Sequence, residues 1–66
     1  MNWRRVQADH QERLARLSNA LAAAYEGDIG FAKTKGETAY LRRRAGAYRT
    51  NAKRHWAKAE QLRQAP

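Results

Sequence analysis

Eight bases crowd residues 42–63: Arg42, Arg43, Arg44, Arg49, Lys53, Arg54, Lys58 and Arg63, with Glu60 the one acid among them. On a helix advancing about 100° per residue, Arg42, Arg49 and Lys53 fall along one flank and Arg43, Arg54 and Lys58 along another. The like-charged neighbours Arg49/Lys53 and Arg54/Lys58, four apart, each cost an isolated helix a few tenths of a kcal/mol. A helix shaped for stability alone would carry Glu at such places. A polyanionic partner explains the pattern, with nucleic-acid backbone first and an anionic membrane surface second. The candidate nucleic-acid-binding residues are therefore Arg42, Arg43, Arg49, Lys53, Arg54 and Lys58. A plainer source exists for the same residues: ten of the 14 bases are Arg and alanine is the commonest residue, a bias that GC-rich codons produce. Tyr40, Tyr48 and Trp56 interleave with the bases as in single-strand binders, but only Tyr40 lies clear of the apolar seam. No helix-turn-helix, zinc-finger or RNP pattern is present, so sequence-specific readout is not expected.

Other chemistry has little material. There is no Cys, Ser18 stands alone, and the one carboxylate pair, Asp9 and Glu12, points away from the apolar stripe toward solvent. Two helices enclose no deep cavity, so no enzyme and no cofactor are expected. Gly30 and Gly36 do not make a P-loop, because the required Gly-Lys-Ser/Thr ending is missing. If the chain turns back near residue 31, His10 comes near the level of His55. Two imidazoles are an incomplete zinc site, which Asp9 or a second copy would have to complete. A pH-sensitive packing pair and ordinary seam packing are the other readings, and no metal is expected.

These residues must be positioned by helices. From Asn2 to Tyr25 there is no Gly or Pro, and Trp3, Val6, Leu14, Leu17 and Leu21 repeat at threes and fours, with His10 filling the gap. The stripe is about 100° wide, close to a coiled-coil seam, and Ala24 and Tyr25 join it. Asn2 suits the N-cap and Gly27 the C-terminal stop, which gives a first helix over 3–25. Leu17, in mid-stripe, is expected to be fully buried, and Ala23 exposed. A second helix over 37–64 carries Thr38, Leu41, Ala45, Tyr48, Ala52, His55/Trp56, Ala59 and Leu62 at helical spacing and runs through Gly46, at a cost of about 1 kcal/mol. Ala45, Ala52 and Ala59 recur every seven residues, either as helix filler or as small seam residues against the leucines of the first helix. The hinge, 26–36, holds Ile29 and Phe31, which either plug the closed end or form an exposed tip, and Asp28, a candidate cap for a short turn.

Length and composition bound the rest. Of 66 residues 28 are hydrophobic, but half of those are Ala; setting Met1 aside, 13 large apolar side chains remain. Such a core barely balances roughly 1.5 kcal/mol of conformational entropy per ordered residue, and no cysteine is available as a staple. The expected fold is a single all-α domain, an antiparallel two-helix hairpin that dimerises into a four-helix bundle. The candidate interface residues are Trp3, Val6, Leu14, Leu17, Leu21, Tyr48 and Trp56. The longest uncharged stretch, residues 17–25, is too short to span a membrane, so a cytoplasmic protein is expected. The net charge of +8 is local: residues 1–27 carry +1, 28–37 none and 38–66 +7. In composition alone the chain is similar to small proteins of high-GC bacteria and their phages. The function expected is non-enzymatic binding of nucleic-acid backbone through the second helix. The alternative is a protein-interaction module, a small regulator or phage-encoded inhibitor, docking its seam or a Trp3/Trp56 end on an acidic protein.

Overall fold

Helix α1, Trp3–Ile29, starts where the sequence places its cap: the Asn2 side chain accepts from the backbone N–H of Arg4 at 3.1 Å and of Arg5 at 3.3 Å. It runs past the expected stop. Gly27 lies within the helix on its outer side, with open space where a Cβ would stand. Ile29 is half-buried one heptad beyond Ala22, and this further seam contact carries the helix through the glycine. Helix α2, Lys35–Gln64, begins two residues before the expected position and is continuous through Gly46. Its start is fixed by a reciprocal pair: Thr34 Oγ1 accepts from the Glu37 N–H and the Glu37 carboxylate accepts from the Lys33 N–H, each at 3.0 Å. The hinge therefore shrinks to residues 30–34, within the usual range for a helix-to-helix turn. Asp28 acts there through its backbone carbonyl, which accepts from Gly30 and Phe31, and not through a side-chain cap. Phe31 is 85% exposed, so of the two expected plugs only Ile29 packs.

The computed structural model describes residues 2–64, an all-helical antiparallel hairpin measuring 51 × 14 × 10 Å. Its seam differs from the expected one on one side. The buried residues are Ala8, Ala15, Ser18 and Ala22 on α1 and Ala45, Ala52 and Ala59 on α2. The cross-pairs Gln11–His55 and Asn19–Arg49 set a register that brings Ala8 level with Ala59, Ala15 with Ala52 and Ala22 with Ala45. Alanine thus meets alanine, where leucine was expected to fill the space opposite Ala45, Ala52 and Ala59. Side chains this small let two backbones approach at the short end of the usual 8–10 Å. Leu17 lies two residues past Ala15, turned out of the seam, and is 56% exposed instead of buried. Among the described residues no large side chain is fully buried, and no helix is long and apolar enough to cross a membrane.

Candidate nucleic-acid interface

In an antiparallel pair, equal heptad offsets fall on the same side of the seam. Four residues beyond the buried alanines stand Glu12, Asn19 and Glu26 on α1 and Arg49, Trp56 and Arg63 on α2. This flank is polar and paired. Arg49 donates to the Asn19 side-chain oxygen at 3.0 Å and to the Glu26 carboxylate. Arg63 donates to Asp9 at 3.2 Å and to Glu12, which also accepts from Arg16 at 2.7 Å. Hydrogen bonding from Arg63, reinforced by Arg16, holds the Glu12 carboxyl below its ordinary value. The same contacts push the Arg63 and Arg49 guanidinium pKa values up. Asp9 and Glu12, expected to be merely solvated, are cross-helix anchors.

One residue before the alanines lies the opposite flank, with Leu14 and Leu21 on α1 and Arg44, Asn51 and Lys58 on α2. Leu17, Val6 and Trp3 extend its apolar part outward: Trp3 is 68% and Val6 42% exposed. An open hollow at this end is lined by Trp3, Val6, His10, Lys58 and Leu62 among others. Arg44 is fixed on the α2 side. Its guanidinium lies 5.6 Å from the ring centre of Tyr25 and 5.3 Å from that of Tyr48, two rings stacked 5.7 Å apart, and it donates to the Tyr48 hydroxyl at 3.2 Å. Tyr25 first and Tyr48 second push the Arg44 pKa up.

Of the six candidate nucleic-acid-binding residues, Arg42, Arg43, Lys53, Arg54 and Lys58 are exposed and, among the described residues, have no ion pair, hydrogen bond or ring contact. Arg49 is the exception, half-buried and occupied by Glu26 and Asn19. Arg42/Arg43 and Lys53/Arg54 are separated by eleven residues, three helical turns, so the two pairs share a face about 16 Å apart. Tyr40 is half-exposed beside Arg43 and Arg44, one turn on. Of the candidate interface residues, Tyr48 belongs to the intramolecular seam and Leu14 is half-buried at its edge. Trp56 falls on the polar flank and Trp3 on the apolar one, so they form no common aromatic end. His10 and His55 do not meet. His10 is exposed two residues past Ala8, and His55 Nδ1 donates to the Gln11 side-chain oxygen at 2.7 Å. The described residues contain no group of three or more His, Asp or Glu side chains placed to hold a metal.

Sequence reading missed the cross-seam partners of Arg49 and Arg63, the Tyr25–Tyr48 stack and the Thr34/Glu37 cap. For the cap a signal was present, the Thr-Lys-Gly-Glu run of residues 34–37. Compared with protein-family models, curated proteins and solved structures, the chain matches none.

Proposed function

We propose that this protein is a non-enzymatic binder of nucleic-acid backbone, acting through the outer face of α2 with little sequence preference, as a homodimer joined by the apolar flank. One observation carries the reading: the acids of the seam flank are committed to Arg16, Arg49 and Arg63, which leaves Arg42, Arg43, Lys53 and Arg54 unneutralised on the outer face of α2 and Lys58 unneutralised at its apolar edge. Flexible unpaired bases suit phosphate contacts, which position a partner without reading its bases. The α2 span carries nine bases against two acids, whereas the α1 span has four of each. Attraction to a polyanion therefore resides in α2.

The test is binding of labelled duplex and single-stranded probes across a salt series. Affinity should fall with a log–log slope of about −0.9 per phosphate neutralised on duplex. Replacing Arg43, Lys53 and Arg54 together by Ala should shrink that slope by about three units with helicity intact, because Ala is the better helix former. Arg49→Ala should change thermal stability more than binding. Failure to retard either probe at tens of micromolar protein, where nonspecific dissociation constants of about 10⁻⁴–10⁻⁶ M predict binding, would overturn the reading. The basic face would then pass to an acidic protein partner.

A further inference from the structure

We infer that two copies pair through α1 alone, leaving their α2 basic faces on opposite edges of the dimer, so that one dimer bridges two separate nucleic-acid segments. The inference rests on the backbone-binding reading of α2 and adds an arrangement and an activity to it.

The area argues for a second copy. The hairpin exposes 5223 Å². A folded monomer of 7.6 kDa is expected to expose about 4,300 Å². The excess, about 900 Å², belongs to a 51 × 14 × 10 Å rod that covers less of its surface than a compact monomer of its mass, and Trp3, Val6, Leu17 and Leu21 are part of what it leaves uncovered. The position of the apolar residues then selects the contact. Leu14, Leu17, Leu21, Val6 and Trp3 all belong to α1, while on the same flank α2 presents Arg44, Asn51 and Lys58. A dimer that stacked α2 on α2 would bury polar side chains and set +7 against +7. Pairing α1 with α1 covers the leucines between two helices whose charges cancel, four bases against four acids each. Both demands are met when the α1 helices lie at the centre and the α2 helices at the edges.

In that arrangement Arg43, Lys53 and Arg54 face away from the dimer on both sides. With helix spacings of 8–10 Å, the two α2 axes stand roughly 25 Å apart, and two duplexes held on the outer edges do not collide. A monomer with one basic face holds a single segment. The dimer holds two, and binding of the second segment depends on the leucine contact.

The experiment uses the full chain at about 150 mM salt, a bead-held duplex and a free fluorescent duplex of unrelated sequence, with sedimentation run in parallel. Wild-type protein should sediment at about twice the 7.6 kDa chain mass and carry the fluorescent duplex onto the beads. Leu17→Glu, at a solvent-facing position, should keep its helicity, become monomeric, still bind one duplex and lose capture by about tenfold or more. Ala23→Glu makes the same charge change on the other side of α1 and should retain dimer and capture. Single-duplex binding without capture overturns the bridge and leaves the backbone reading standing. Equal capture by both Glu variants, or a wild-type monomer at tens of micromolar, overturns the α1 pairing. Absence of single-duplex binding overturns the backbone reading and the bridge with it.

Discussion

The two flanks of the hairpin share one alanine seam and are made of opposite materials. On the polar flank, carboxylates and amides of α1 meet Arg49 and Arg63 of α2 in directional contacts that fix which residues face each other. On the other flank Leu14 is half-buried and Leu62 of α2 lines the hollow with Trp3 and Val6, while Trp3, Val6, Leu17 and Leu21 stay largely open to solvent. The seam sets the distance between the helices and the polar flank sets their register. Leucines usually do both in a helical pair, yet here Leu17 and Leu21 are exposed and do neither. Apolar periodicity in α1 therefore marks a surface, and the small residues beside it mark the core.

The largest effect is expected from enlarging the seam that both flanks depend on. Ala52→Leu puts a branched side chain level with Ala15, between backbones held at alanine distance. Overpacking of this kind typically costs about 1–3 kcal/mol, enough to unfold or re-register a domain with so small a core. Ala47→Leu, on the exposed side of α2, should leave the thermal midpoint nearly unchanged. Circular dichroism melts of both variants decide the matter. If Leu is accepted equally at both positions, the helices are not in close contact at Ala52.

A smaller effect is expected on the apolar flank. Leu17→Ala would cost roughly 2–5 kcal/mol at a fully buried site. At 56% exposure it should cost the isolated hairpin about 1 kcal/mol or less. The two flanks then separate by concentration. At low micromolar protein the Leu17→Ala melt should nearly match wild type, and at hundreds of micromolar it should fall behind as wild type gains from self-association. A large, concentration-independent loss would place Leu17 inside the hairpin after all.

How much of this was legible in the residues differs between the helices. In α2 the three alanines at intervals of seven, the step taken by His55 and the half-buried Leu41, Tyr48 and Leu62 follow from spacing, and helix continuity through Gly46 follows from propensity. In α1 the same interval, Ala8, Ala15 and Ala22, stood in plain view, but the leucine stripe beside it matched helical periodicity equally well. Burial favours the larger side chain by default, and only a partner with alanines at the same levels reverses that choice. The loss of the expected histidine pair follows from the same rotation, because His10 lies on the leucine stripe and turns out of the seam with it. Arg49 looked like its free neighbours because its partners, Glu26 and Asn19, lie more than twenty residues away. The five other candidate bases are exposed, as a basic outer surface on α2 requires, because nothing among the described residues competes for them.

The smallest effect separates the flanks by pH. Glu12 is held as a carboxylate by Arg63 and Arg16, and its pKa in the folded hairpin lies below the ordinary 4.5. A depressed carboxyl pKa contributes stability above the unfolded value, and that contribution disappears as pH falls through the folded value. The loss should therefore begin near pH 4.5 and be complete below the lowered pKa. Glu12→Gln keeps the shape and removes the titrating charge, so its melt should lie slightly below wild type at neutral pH, and the gap should close on acidification below the lowered pKa. Added salt should narrow the gap at neutral pH as well, because the contact is open to solvent. Leu17→Ala supplies the opposite flank's answer: nothing that titrates is lost there, so its offset from wild type at low concentration should not depend on whether Glu12 is charged. If the Glu12→Gln gap persists at acid pH, the polar flank acts through shape and not through charge. Register would then rest on the other cross-seam contacts, Gln11 with His55 and the Tyr25–Tyr48 stack.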